Sequence, residues 1–126
     1  MHVLHQGRAE YLLVYPPDIH GGPVIKRIVM GPNTSKGEVR QLYVESGVWK
    51  KSRLLEEDLV EVAEGRTDGE DAGCLITEVV IPGFEWEDHK WMTSADLESL
   101  FPKAADGRNK EIRRELEGHV RESIIP

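Results

Sequence analysis

The sequence predicts an all-β sandwich or small barrel with a short helical tail, and a jelly roll is one architecture that fits. Two observations carry this. Short, β-branched apolar runs recur between residues 10 and 81, each closed by a Gly- or Pro-containing turn. A helical period appears only after Thr93.

Glu10 to Tyr15 (EYLLVY) reads as the first such strand, stopped by Pro16-Pro17, which lack the N–H groups a ladder needs. His20-Gly-Gly-Pro23 is a turn, followed by the strand Val24 to Met30 and the stop Gly31-Pro32. After a polar turn at Asn33 to Gly37, Val39 to Val44 alternates, with Val39, Gln41 and Tyr43 on one face and Arg40, Leu42 and Val44 on the other. Glu45-Ser46-Gly47 turns the chain into a strand over Val48 to Leu55. The polar stretch Ala63 to Gly73 has no apolar period and reads as a mobile loop. Cys74 to Ile81 (CLITEVVI) is the clearest strand and ends at Pro82-Gly83.

Helix then follows. Thr93 or Ser94 caps a segment carrying Asp96 and Glu98 near its positive end and an apolar stripe of Leu97, Leu100 and Phe101, ended by Pro102. Ile112, Leu116 and Val120, four apart, predict a helix over Asn109 to Ser123. Residues 1–92 are thus expected to form the β domain, with 93–126 a helical extension packed on it.

At 126 residues the chain has room for one modest core, and 31% charged with 39% hydrophobic residues is a globular composition. A formal charge of −7 repels phosphate backbones and argues against a nucleic-acid partner. The lone cysteine, Cys74, forms no internal disulfide, and no run approaches a membrane span or signal segment. A cytoplasmic protein without a membrane partner is expected. There is no Gly-x-Ser-x-Gly elbow, and His20-Gly-Gly-Pro23 lacks the lysine and following helix of a phosphate loop. The basic group Lys50, Lys51, Ser52 and Arg53 alternates to both faces and reads as a solvated strand. Cys74, opening an apolar strand, reads as buried and inert.

Three segments carry a family resemblance. Val44-Glu-Ser-Gly47-Val-Trp49 is similar to a V-P-A-G-x-W turn, and Val80-Ile-Pro-Gly-Phe84-Glu-Trp86-Glu-Asp88 to a V-x-P-G-F-x-[FYW]-x-D ending. His5-Gln-Gly-Arg-Ala-Glu10-Tyr11 is similar to an H-R-x-x-x-[DE]-E-x-W stretch. In this order and spacing they resemble the cupin superfamily, and within it the cupin-5 type, a domain-of-unknown-function group. The resemblance covers about residues 2 to 92. It implies a small cupin jelly-roll β-barrel that holds a small ligand, often in a homodimer. Family members usually carry further strands before the histidine stretch, so the barrel here is expected to be trimmed or completed by a partner chain. An open sheet edge would otherwise invite aggregation, and a homodimer or larger oligomer is expected.

The resemblance also suggests sites. Metal-binding cupins use H-x-H with a glutamate and then a further histidine, a donor set suited to first-row divalent ions. On that pattern His5 and Glu10 stand at the second histidine and the acid, Val3 replaces the first histidine, and Lys50 replaces the last. An ammonium has no lone pair to offer. His2 points to the opposite strand face from Val3 and His5.

The expected function is therefore binding of a small organic metabolite without a cofactor. Isomerisation, epimerisation, dehydration or cyclisation would use His5 and Glu10 as acid and base, with Tyr11, Tyr43, Trp49 and Trp86 as walls. One alternative is a metal-dependent oxygenase or isomerase on His5, Glu10 and His2, or with His89. Another is a non-catalytic binding or scaffolding cupin. In PGFEWEDHKWM an extended backbone would put Glu85, Glu87 and His89 on one face, yet alternate strand positions lie about 7 Å apart and rarely converge on one ion. The resemblance instead makes this stretch the end of the barrel, with Phe84 and Trp86 packed and Asp88 fixing a turn.

Overall fold

The computed structural model describes residues 1–17, 22–66, 72–102 and 107–122, in two compact units. The first comprises Met1–Tyr15 and Ile25–Ile81, the second Pro16–Val24 and Pro82–Pro126.

Among the described residues six strands form two three-stranded sheets. β1 (His2–Gly7) lies between β4 (Gln41–Leu42) and β6 (Cys74–Glu78), and β2 (Ala9–Tyr15) lies between β3 (Val24–Met30) and β5 (Trp49–Arg53). β1 runs antiparallel to both its neighbours, as β2 does to β5. Among the described residues the pairing closes no barrel. Instead the sheets share one apolar cluster. Tyr11, Leu13 and Ile28 from one sheet meet Leu4, Leu42 and Ile76 from the other, with Ala9 and Met30 also buried. Alternation along β2 explains the choice: Ala9, Tyr11, Leu13 and Tyr15 all point one way.

The strands over Glu10–Tyr15 and Val24–Met30 stand where the sequence puts them. Three others are shorter than expected. Of Val39–Val44 only Gln41–Leu42 pairs with β1, while Val39 makes a single parallel bridge to Met30. β5 stops at Arg53 because Leu55 already leads into a helix. β6 stops at Glu78, opposite His2, and Val79, Val80 and Ile81 continue exposed.

Helix does not wait for Thr93. α1 (Glu56–Ala63) follows β5, a correction to the sequence reading. Its signal is present: Glu56, Glu57 and Asp58 fill the first turn, where the helix dipole favours anions, and Leu55, Leu59 and Val62 follow a helical spacing. Of the stretch read as a loop, residues 67–71 lie outside the described residues, as do 20–21 of the His20 turn.

In the second unit, α2 (Ser94–Leu100) starts with a full capping box. Thr93 Oγ1 accepts from the Asp96 N–H at 3.1 Å, and the Asp96 carboxylate accepts from the Thr93 N–H at 2.9 Å. Those bonds hold the Asp96 carboxyl below the usual carboxylate range. α3 (Lys110–Glu117) ends at Gly118, short of the expected Ser123, since glycine is a poor helix former. Arg113 of α3 bridges to α2 through Glu98 (2.9 Å) and pairs within its own helix with Glu117 (3.1 Å). No helix among the described residues is long and apolar enough to cross a membrane.

Candidate functional site

The site follows from strand parity. Cross-strand partners share a sheet face, so the pairs Leu13–Lys50 and Tyr11–Ser52 put Lys50 and Ser52 on the inner face beside the buried Leu13 and Tyr11. In the other sheet His2 pairs with Leu42 and Glu78, which puts His2 and Glu78 on the inner face with Leu4 and Ile76. Four polar side chains therefore converge from four strands.

Lys50 Nζ lies 2.7 Å from His2 Nε2 and 3.4 Å from Glu78 Oε1. His2 Nε2 is 3.7 Å from the same Glu78 oxygen. The Tyr11 ring meets the His2 ring edge to face, centroids 5.6 Å apart. His2, 2% exposed, and Tyr11 form the floor, while Lys50 and Glu78, with side chains 28% and 47% exposed, form the rim.

Electrostatics fix the state of His2. Burial, and next the Lys50 charge, push its pKa below the ordinary value, against a smaller upward pull from Glu78. A neutral ring accepts the Lys50 proton donor at Nε2 and so carries its own hydrogen on Nδ1. That Nδ1 is buried and has no partner among the described residues. An orphaned buried donor of this kind costs about 1–3 kcal/mol. Burial raises the Tyr11 hydroxyl, with further upward pushes from Cys74 and Glu78, and burial raises the Cys74 thiol. Both stay protonated at neutral pH.

The residues singled out from the sequence are dispersed. His5 is the extra residue of a bulge in β1, between Leu4 and Gln6, and its Nε2 meets Thr77 Oγ1 at 2.5 Å on the opposite, exposed face. Glu10 lies in the middle of the other sheet, on the face away from Tyr11. It accepts from Arg27 at 2.9 Å and from Arg53 at 3.1 Å. No hydrogen bond joins His5 to Glu10 among the described residues. Of the four aromatics, only Tyr11 reaches the inner cluster. Trp49 pairs with Val14 on the far face, Tyr43 is exposed, and Trp86 is 69% exposed.

The motif around Trp86 departs from expectation too. Phe84 and Trp86 do not pack into a core. Residues Trp86–Asp88 coil into a 3-10 turn, and Phe84, Trp86, His89 and Trp91 pack edge to face on one another in sequence order. Trp86 and His89, three apart, would lie on opposite faces of a strand, and the 3-10 turn brings them to the same side, which makes the row of rings continuous.

The inner faces are the setting in which comparison with known proteins becomes informative. The family model described as cupin superfamily (DUF985) matches residues 1–92. This chain belongs to the cupin superfamily. The chain is also similar to the "Uncharacterized protein YML079W" of Saccharomyces cerevisiae, 36% identical over 96 residues. The match covers 76% of this chain and 40% of that protein. The cupin chain thus spans less than half the length of the curated relative it matches.

A divalent ion does not fit the residues of this cupin's inner face. Lys50 presents an ammonium to His2 Nε2, so the imidazole lone pair a metal would use is already engaged by a cation. His5 and Glu10 face elsewhere. No group of three or more His, Cys, Asp or Glu among the described residues could hold an ion.

The sequence offers His2 only as a ligand of the alternative metal reading and Lys50 only as a replaced histidine in a solvated basic group, and Glu78 is not singled out. A signal existed for each: Glu78 is the lone acid in CLITEVVI, and His2 is on the strand face opposite His5.

The buried neutral His2 predicts a pH dependence. Its folded pKa is below the ordinary 6.5, so below that pH the unfolded chain takes up the proton first. Its contribution is complete above pH 6.5 and is lost as pH falls toward the lower folded value, by at most about 1.4 kcal/mol per pH unit. Urea unfolding between about pH 7.5 and 5.5 should show this slope in the wild type and a flatter line in His2→Phe.

Proposed function

We propose that this cupin domain binds a small organic molecule at the inner cluster of His2, Tyr11, Lys50 and Glu78. The chemistry it supports there is metal-independent proton transfer, of the kind isomerisation, epimerisation or dehydration requires. The observation that supports this reading is the 2.7 Å contact between the Lys50 ammonium and the His2 imidazole on the inner sheet faces. An ammonium hydrogen-bonded to a neutral imidazole is a proton donor beside a proton acceptor, and burial keeps the acceptor neutral at working pH. Lys50, on the rim, meets a ligand first and serves as the acid. Once Lys50 has given its proton to the ligand, the freed His2 Nε2 accepts the proton that the ligand loses, and Tyr11, whose ring meets His2 edge to face, can donate a hydrogen bond to a developing negative charge.

Native mass spectrometry of gently purified protein tests the reading. A small-molecule adduct is expected on the wild type, with occupancy at least about tenfold lower on Lys50→Met, because loss of a hydrogen-bonded charge removes that much affinity or more. Equal adducts on both proteins, with both folded by circular dichroism, would show that the ligand sits elsewhere.

The reading includes a homodimer. β6 is an edge strand of its sheet and exposes Leu75, with Val79 to Ile81 exposed beyond it. Pairing with a second copy would cover such an edge. Light scattering at micromolar concentration should give twice the 14.3 kDa chain mass, and a clean monomer counts against this assembly.

A further inference from the structure

We infer that the group recognised at this site is an oxyanion, the carboxylate or phosphate of a small molecule, which binds by displacing the Glu78 carboxylate from the Lys50 ammonium. The inference rests on the ligand site being the inner cluster.

The polar groups there are nearly all donors. Lys50 offers three N–H bonds, and one is directed to His2 Nε2 at 2.7 Å. The His2 Nδ1–H is buried and has no partner among the described residues, and the Tyr11 hydroxyl is kept protonated by burial. Ser52 adds a hydroxyl on the same inner face, opposite Tyr11. Neutral amides and alcohols present donors as well as acceptors, and their donors would go unpaired against this set. A carboxylate or phosphate presents acceptors only, matches the donors, and brings a charge that can approach Lys50 more closely than Glu78 does at 3.4 Å.

Among the described residues Glu78 is the carboxylate that reaches the cluster, and it is held loosely. Its Oε1 stands 3.4 Å from Lys50 Nζ, longer than the about 2.7–2.9 Å of a charge-assisted hydrogen bond, and 3.7 Å from His2 Nε2, a second acceptor that offers it no proton. The side chain is 47% exposed, so water can take it back when it leaves. A single oxygen facing both the Lys50 ammonium and the His2 ring is where a ligand oxygen would sit. Glu78 therefore acts as an internal competitor, screening the lysine until a better-placed anion arrives.

This makes two substitutions at one site act in opposite directions. Calorimetric titrations of the full chain at fixed ionic strength would use succinate and inorganic phosphate as probes, with succinamide as the neutral counterpart of succinate. Glu78→Gln, which removes the competing charge and keeps the shape, should tighten anion binding about three- to tenfold. Lys50→Met should weaken it at least about tenfold. Succinamide should show neither response. The head group is the one, succinate or phosphate, that shows the opposed pair of shifts. Weaker anion binding in Glu78→Gln, a preference for succinamide, or no binding of either anion to any protein would overturn the oxyanion inference. The cluster itself as the ligand site fails separately, if the adduct in native mass spectrometry is as abundant on folded Lys50→Met as on the wild type.

Discussion

Gly7→Ala is expected to destabilise the first unit by about 2–5 kcal/mol and to scramble the pairing of β1 with β6. Gly7 has φ +81°, a left-handed conformation that adds about 1–2 kcal/mol for a residue with a side chain. The larger part is steric. A Cβ at position 7 would stand 1.8 Å from the Gly73 carbonyl oxygen and 2.9 Å from its carbon, both backbone atoms that no rotamer change can move. Gly7 pairs with Cys74 in the ladder that continues to His2 and Glu78, so a shift there is carried to the candidate site. Gly37→Ala is the control. It has a similar φ of +83° with nothing within 4 Å of the new Cβ, and should lose only the conformational part, about 1–2 kcal/mol. Chemical denaturation of the two variants separates the clash from the backbone preference; equal losses would mean that the close approach to Gly73 is relaxed in solution.

Arg8→Met should cost about 3 kcal/mol, through the carboxylate it leaves behind. The Arg8 guanidinium ties three acids together: Glu38 at 3.1 Å, Glu57 at 2.8 Å and Asp58 at 2.5 Å, the last also bonded through Nε at 3.1 Å. These bonds push the arginine pKa further up, Asp58 contributing most and burial opposing. Glu57 and Asp58 are in the first turn of α1, so one side chain from the β1–β2 corner pins the start of that helix. Glu38 is the costly one. It is 7% exposed, and among the described residues its carboxylate accepts, apart from Arg8, from the Asn33 N–H at 3.0 Å. The exposed Glu57 contact contributes little by comparison. Adding Glu38→Gln to Arg8→Met should restore part of the loss, since a neutral amide tolerates that site better than an unpaired charge. If the double variant is as unstable as the sum of the singles, the two residues are not coupled and the buried pair is not what holds α1.

Glu10–Tyr15 and Val24–Met30 could be placed from sequence because alternation or β-branched runs end there in prolines and glycines, a local signal. The capping box at Thr93 and Asp96 is equally local. α1 escaped the reading because its apolar residues are few and stay half exposed, and a bond to the distant Arg8 supports it. The cupin signature identified the family, and the structure does not bring its two polar motif residues together. His5 and Glu10 match the motif, yet a bulge turns His5 outward and two arginines engage Glu10.

By itself the sequence determined the strands over Glu10–Tyr15 and Val24–Met30, the helices after Thr93, and which family the chain belongs to, while β1 and α1 were not expected from it. Only the tertiary structure decided which face of each strand looks inward. Alternation divides a strand into two faces and leaves open which is buried. That depends on partners far along the chain, such as Leu13 beside Lys50 and His2 beside Glu78. The groups that meet inside, His2, Tyr11, Lys50 and Glu78, are neighbours only because two sheets bury their apolar faces against each other.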